Sequence, residues 1–479
     1  MQIEQIITQL ESLRSSSDQL ELGPSQRKES FEEVQAYSEL FLSSLEKAKG
    51  YQHKEIGNLA ITGEKKDLSE ILKTYHSEVA QSGINAASPK HLGYIPGGGV
   101  YSAALADYIA AITNPYASVY YASPGAATIE NEVIEWLKSV FSFPKEAVGT
   151  LCSGGSTSTL VAFTAARDHH KIKNERVPKS VVYLSEQVHH SSQKALRILG
   201  LEDVILRLVP LDANHRMIPS KLEKMLQEDI KVGLNPYLIV GTAGTTDTGA
   251  IDPLNELADI AQENNLWFHV DAAYGGMFIL TSQKEKFSGI ERADSLIVDP
   301  HKGLFLPYGV GAVLVKEAKD VLHSHYYTAN YMQDGYQEEL LQSPANLSAE
   351  LTKHFRGLRV WLPLQLHGIE PFVSCLEEKL LLTKYFRKRL ESLGFCLGPE
   401  PELSVSYFWY PFESESEEKN RLLMDEIHKD GRVFLSSTII DSKFVIRLAI
   451  LAFRTKKETI DLAVEMIEKC LKKVLEKES

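Results

Sequence analysis

The sequence predicts an α/β protein: a large domain on a mainly parallel β-sheet, preceded by a helical segment and closed by a small α+β domain. Three observations carry that expectation. Apolar residues recur at helical spacing over residues 1–90, as in Ile3, Ile6, Ile7 and Leu10 and again in Phe31, Val34, Tyr37 and Phe41. Over 91–365, short apolar runs alternate with longer helical patterns, the texture of strands joined by covering helices. Over 366–479, helical stretches such as 373–393 mix with the strand-like runs at 405–409 and 444–448.

The N-terminal segment breaks near Leu22-Gly23-Pro24 and Ser82-Gly83 and has too few apolar residues for a core of its own. It is expected to pack on another domain or on a second subunit, and nothing in it suggests chemistry. In the large domain the runs are 181–184, 204–206, 237–240, 266–270 and 295–298, and several end in polar residues: Ser185, Thr242, Asp271 and Asp299. Open parallel sheets bind ligands beyond the carboxyl ends of their strands, so polar groups arriving there suggest one shared site. The stretch 309–315 reads as a return strand, and the acidic run Glu413 to Glu418 as a solvated loop.

Composition narrows the function classes. Among 479 residues, 64 are acidic and 51 basic, a formal charge of -13, which argues against a nucleic-acid partner. The four cysteines, Cys152, Cys375, Cys396 and Cys470, form no CxxC pair, so neither a zinc cluster nor a disulfide framework is suggested. The N-terminus lacks a basic and then apolar leader, and no apolar run reaches the roughly 18 to 20 residues of a membrane span. A cytoplasmic protein with no membrane anchor is expected.

The chemistry begins with Lys302, in Pro300-His301-Lys302-Gly303, which follows Asp271, in His269-Val270-Asp271-Ala272-Ala273-Tyr274, by 31 residues. Each sits just past a short apolar run. An amine that can form a Schiff base with an aldehyde, and a carboxylate that can keep a heterocyclic nitrogen protonated, are what pyridoxal phosphate needs. Alone, a lysine is nearly always a solvated surface group and an aspartate after a strand is often a helix cap; the pairing and its context reverse those priors. The run Ser153-Gly154-Gly155-Ser156-Thr157 precedes an apolar helical stretch and should offer free backbone N–H groups to a phosphate. Gly-Ser turns before helices are common, so that motif is weak by itself, and Gly244-Thr245-Thr246 is weaker still. His189 and His190 stand side by side after a strand, and their residue types do not distinguish a functional from a structural role. His189, His269 and His301 lack compact metal-ligand spacing such as HExxH, and no metal is expected.

In order, Gly-Gly-Ser, His-Ser-Ser, Gly-Thr-Thr, His-Val-Asp-Ala-Ala-Tyr and Pro-His-Lys resemble the group II pyridoxal-phosphate-dependent amino-acid decarboxylases, which include the aromatic amino-acid, histidine and glutamate enzymes. The resemblance runs from about His91 to Phe453. Its upstream part takes in Gly93-Tyr94-Ile95-Pro96, its downstream part Phe355-Arg356-Gly357-Leu358-Arg359 and Phe444-Val445-Ile446-Arg447-Leu448.

The resemblance implies a fold-type I, transferase-like large domain with a seven-stranded type of sheet, pyridoxal 5'-phosphate as cofactor, and a homodimer with its active site at the subunit interface. It implies that Lys302 holds the cofactor as a Schiff base, that Asp271 pairs with the ring nitrogen, and that His189 stacks on one ring face with Ala273 under the other. Thr246 would approach a cofactor oxygen and His269 would support Asp271. Gly155, Ser156 and His301 would bind phosphate. Tyr94, Pro96 and Gly97 would border the substrate, with Arg447 near its carboxylate. The implied reaction is decarboxylation of an L-amino acid to an amine and carbon dioxide, an aromatic or neutral substrate being slightly favoured. Acidic or diamino acids, an aldehyde-forming oxidative decarboxylation and carbon–carbon bond cleavage stay open.

Three departures mark this chain. Asp299 stands where the aromatic and glutamate enzymes usually show asparagine, and a carboxylate there would repel phosphate unless protonated or turned away. Gly97-Gly98-Gly99 replaces bulkier residues beside the substrate. Pro344 falls where a loop tyrosine is expected as proton donor, leaving Tyr331 and Tyr336 as substitutes, with Tyr331 taken as the catalytic one.

Overall fold

The computed structural model describes residues 3–326 and 337–476. Two compact units are present, divided between Asn85 and Ala86.

The first unit holds helices α1 (Ile3–Ser17), α2 (Pro24–Ser44) and α3 (Leu68–Tyr75), with a two-stranded antiparallel ribbon of β1 (Tyr51–Gln52) and β2 (Gly83–Ile84). Pro24 follows Gly23 at the first turn of α2, where a missing N–H costs nothing. No residue of the three helices is buried, and Ile3, Leu10, Leu13 and Leu40 are all more than half exposed. The apolar periodicity therefore marks faces without marking a core.

The second unit opens with α4 (Tyr101–Thr113) and α5 (Pro124–Val140) and then enters a seven-stranded sheet. Its strands are β3 (Val148–Cys152), β4 (Ser180–Leu184), β5 (Ile205–Leu208), β6 (Asn235–Thr242), β7 (Trp267–Asp271), β8 (Ser295–Val298) and β9 (Gly311–Val315). They lie in the order β3-β9-β8-β7-β6-β4-β5. Only β9 runs against its neighbours, so the expected return strand is found, and β3, β4, β6, β7 and β8 end on the same edge. Strands β3, β4, β7, β8 and β9 are buried along their whole length, which is why β4, β7, β8 and β9 show in the sequence as short, mainly apolar runs; β3, with Gly149 and Thr150 inside it, was not among the expected runs.

Between the strands lie α6 (Gly155–His169), α7 (Ser191–Ile198), α8 (Pro219–Lys231), α9 (Leu254–Glu263) and the single turn α10 (Pro300–Gly303). Helices α11 (Ala318–His325), α12 (Arg356–His367) and α13 (Glu370–Glu391) follow. A buried ion pair ties the approach to α12 into the sheet: Lys353 Nζ lies 2.7 Å from both Glu130 Oε1 on α5 and Thr150 Oγ1 on β3.

The chain closes with a four-stranded antiparallel sheet of β10 (Cys396–Leu397), β11 (Val405–Trp409), β12 (Ser436–Ile440) and β13 (Lys443–Ala449), ordered β10-β11-β13-β12 and packed with α14 (Ser416–Asp430) and α15 (Lys457–Glu476). The α/β architecture, the seven-stranded mainly parallel sheet, the helical N-terminal segment and the small C-terminal sheet domain are as expected. No helix among the described residues is long and apolar enough to cross a membrane.

Candidate active site

A cavity of about 290 Å³ lies at the carboxyl edge of the large sheet, lined by residues that follow β3, β4, β6, β7 and β8. Thr242 and Asp271 end β6 and β7, Ser153 and Asp299 directly follow β3 and β8, and the remaining polar groups come from the turns and helix starts just beyond the strand ends.

At the end of β3, Gly154 caps α6 with φ +153°, a conformation that disfavours side chains, and lets the chain swing directly into the helix. Helix geometry leaves the first N–H groups of α6, those of Gly155 and Ser156, without intrahelical acceptors, and the helix dipole makes that end an anion site. The Ser153 and Thr157 hydroxyls, 2.8 Å apart, line the same corner. A Cβ on Gly155 would meet Ala273 at 3.4 Å, so the start of α6 sits directly against that alanine.

Asp271 is the last residue of β7 and is buried; its Oδ1 accepts the N–H of Ala273 at 3.0 Å. Burial pushes its carboxyl above the ordinary range, opposed by that N–H and by Lys302. A cationic group bound against it would hold it ionised. Lys302 sits on α10, whose backbone N–H groups at Lys302 and Gly303 return to the Asp299 carbonyl at 2.9 and 3.3 Å. Its Nζ lies 2.9 Å from Asp299 Oδ2.

The two histidines can be assigned from their partners. Nδ1 of His301 lies 2.6 Å from the Val310 carbonyl, which only accepts, so Nδ1 carries the proton and Nε2 is left as the free nitrogen, 3.9 Å from Asp299 Oδ2. Nδ1 of His189 accepts the Ser191 N–H at 3.2 Å and lies 2.8 Å from the Ser191 hydroxyl, which places the proton on Nε2. Burial, then His190 and Lys302, lower the His189 pKa to about 4. His189 lines the cavity and His190 does not.

Of the expected site residues, the cavity gathers Lys302, Asp271, His189 and Ala273, the phosphate candidates Gly155, Ser156 and His301, and Thr246. His269 stands two residues before Asp271 on the same face of β7, fully buried behind the cavity, with Nδ1 2.8 Å from Ser295 Oγ and Nε2 without a partner among the described residues. Tyr94, Pro96, Gly97 and Arg447 do not line it. Arg447, on β13, donates to the carbonyls of Tyr94 and Thr246 and to Ser436 Oγ, so it ties the 94–97 strap to the Thr246 loop. Tyr94 is exposed, while Gly97 packs against the backbone of His301 and Lys302. The triple-glycine departure thus has a local cause at Gly97, a close backbone approach. Pro344 is buried at the start of a short 3-10 turn and does not line the cavity; Tyr331 and Tyr336 lie outside the described residues.

Sequence reasoning left Gln187 without a role, used Tyr274 only as a pointer to an aromatic substrate, and took Thr242 no further than a polar strand end. All three line the cavity, and Gln187 Oε1 and Thr242 Oγ1 are buried with no hydrogen-bond partner among the described residues. Their signal was position alone: Thr242 ends an apolar strand, and Gln187 precedes His189 by two residues.

A helix N-terminus open to an anion, unsatisfied buried polar atoms, a buried carboxylate and an amine in one cavity of this volume fit a small phosphorylated aromatic aldehyde. Among the described residues, no group of three or more histidine, cysteine or acidic side chains could hold a metal ion.

Comparison with known proteins agrees with that chemistry. Residues 51–411 match the pyridoxal-dependent decarboxylase conserved domain. An aromatic-L-amino-acid decarboxylase of Bacillus atrophaeus is 34% identical over 402 residues, covering 82% of this chain and 83% of the relative. A tryptophan decarboxylase of Oryza sativa subsp. japonica is 30% identical over 407 residues, covering 81% and 82%. The crystal structure of Catharanthus roseus tryptophan decarboxylase in complex with L-tryptophan superposes with a TM-score of 0.87 at 25% identity, covering 95% of this chain and 99% of that one. With more than half of its length matched to the domain and a relative above 30% identity, the chain belongs to the pyridoxal-dependent decarboxylases.

Proposed function

We propose that this protein removes the α-carboxylate of an L-amino acid as carbon dioxide and releases the amine, with an aromatic or other neutral substrate favoured. The observation that carries the reading is the convergence of Lys302, Asp271 and the α6 N-terminus in one cavity. The relatives named for aromatic substrates support the preference.

When bound, the cofactor supplies an electron sink for the pair left by the departing carboxylate. The rest falls to the chain. The N–H groups of Gly155 and Ser156 and the Ser153 and Thr157 hydroxyls would seat the phosphate, joined by His301 once the bound anion draws a second proton onto its Nε2. Asp271 would face the ring nitrogen, His189 one face of the ring and Ala273 the other. His189, neutral with its proton on Nε2, would offer that N–H to the substrate carboxylate. Thr242 and Thr246 would approach cofactor oxygen, and Lys302 Nζ would carry the cofactor covalently and be displaced by the substrate amine. Arg447 would act from behind, by fixing the Tyr94 strap and the Thr246 loop. A final proton must reach the α carbon, and Tyr331 is assigned that step.

We further infer a cytoplasmic homodimer, supported by the exposed apolar faces of α1 and α2. We divide the chain into a helical segment at 1–90, a cofactor domain at 91–365 and a small domain at 366–479.

The test is incubation of the cofactor-loaded protein with the twenty amino acids, DOPA and diaminobutyrate, measuring carbon dioxide and products. Amine with stoichiometric carbon dioxide supports the reading; aldehyde with ammonia and peroxide refutes it. Lys302→Ala should abolish turnover.

A further inference from the structure

The carboxylate that pairs with Lys302 is not the one the cofactor ring needs. Asp271 has Oδ1 engaged by the Ala273 N–H, whereas Lys302 Nζ rests 2.9 Å from Asp299 Oδ2. Asp299 is 2% exposed and has no freedom to turn away. It lies in a slot made by two glycines: a Cβ on Gly155 would come within 3.0 Å of Oδ2, and one on Gly311 within 2.6 Å of Oδ1. Its backbone carbonyl accepts the first turn of α10, its N–H donates to the Ala273 carbonyl at 3.2 Å, and Oδ1 has no hydrogen-bond partner among the described residues. The charged and titratable groups facing it are Lys302 and His301 on α10, Asp271 at the end of β7 and His189 before α7. Lys302 is the cation among them.

We propose that Asp299 is a docking carboxylate for the free amine of Lys302, a positioning residue that holds Nζ inside the cavity whenever it is not bonded to the cofactor. The proposal rests on the reading that Lys302 carries the cofactor. Its chemical content is a balance between two states of one nitrogen. Paired with Asp299, Nζ is an ammonium with no lone pair. To attach, it must leave the carboxylate and give a proton to solvent; its electron pair then bonds to the aldehyde carbon, the second N–H proton and one from solvent go to the carbonyl oxygen, and that oxygen departs as water. Asp299 thus delays attachment and, when substrate displaces the lysine, recaptures the amine beside the reacting centre.

The experiment follows covalent attachment by absorbance, and by borohydride reduction with peptide mapping, in cofactor-free protein mixed with pyridoxal phosphate or with pyridoxal, which lacks the phosphate. Asp299→Asn, close in size and shape, should attach both aldehydes faster by a similar factor, about tenfold, the weight of one charge-assisted hydrogen bond. Asp299→Ser should change both rates in the same direction. Acceleration confined to pyridoxal phosphate would mean that Asp299 acts on the phosphate and would overturn the proposal, as would unchanged rates in both variants. If reduction of the wild-type protein leaves Lys302 unlabelled, the cofactor reading itself fails, an outcome distinct from either.

Discussion

Gly97→Ala should cripple the enzyme without touching a single polar group. The backbone at Gly97 is not in the left-handed region, so alanine meets no conformational barrier there and the effect is one of space. The added methyl would land on the His301 carbonyl oxygen, 3.2 Å from its carbon and 3.3 Å from the Lys302 carbonyl oxygen. Neither side yields cheaply. The strap is held by Phe453, whose N–H reaches the Gly97 carbonyl at 3.4 Å, and by Arg454, which donates to the Gly98 carbonyl at 2.6 Å. The lysine turn is backed by Met277, since a Cβ on Gly303 would lie only 2.5 Å from the Met277 Cβ. Relief therefore requires a displacement of about 1 Å in the turn that carries Lys302, and a misplacement of that size costs on the order of 100-fold in rate. Overpacking should lower stability by about 1–3 kcal/mol. The assay pairs steady-state turnover with denaturant unfolding, and with borohydride labelling of Lys302 to count loaded sites. Wild-type kcat at full loading would refute the reasoning, because it would show that the strap and the lysine turn are free to separate.

Asp271→Asn keeps the shape of the side chain and removes its charge; turnover should fall by roughly 100- to 1,000-fold, the scale of losing one preorganised electrostatic group, with Lys302 still labelled by borohydride. His269 is fully buried and its pKa is lowered to about 3, so the unfolded chain binds a proton there that the native state refuses between about pH 6.5 and 3. Its contribution to stability is complete above pH 6.5 and is lost as pH falls through that window, so His269→Gln should show a shallower acid limb in stability against pH. Equal limbs would contradict the burial argument. Lys353→Met leaves Glu130 buried without its cation, and unfolding free energy should drop by about 3–5 kcal/mol.

Much of this site was legible because strands announce their ends. Val181 to Leu184, Tyr237 to Val240 and Leu296 to Val298 are apolar throughout because both faces of the sheet are covered, and polar residues that follow such a run gather at the carboxyl edge. Asp271 and Lys302 were readable on that ground and from their pairing, whereas Thr246 and His189 took their roles from the family resemblance. Residue types alone did not separate the two histidines; the resemblance pointed to His189, and in the fold the turn after β4 brings His189 to the cavity and leaves His190 at the helix cap. Arg447 and the 94–97 strap were harder for a physical reason. They meet the site through backbone carbonyls, and a carbonyl has no residue type for a sequence to display.

The same reasoning gives Asp299 its weight. A carboxylate beside a phosphate cradle looks like a defect when only the cradle is considered. Placed on the N-terminal side of α10 and wedged between Gly155 and Gly311, it is one turn from Lys302, the i and i+3 spacing at which helical side chains meet. The residue that departs from the family pattern and the lysine that defines the family are thus on one local element, so the departure acts first on the amine. Asparagine at 299 would keep the shape and lose the charge. Whether attachment of pyridoxal changes with that single charge decides between an amine-docking group and a phosphate-repelling one, because pyridoxal has the aldehyde and lacks the phosphate.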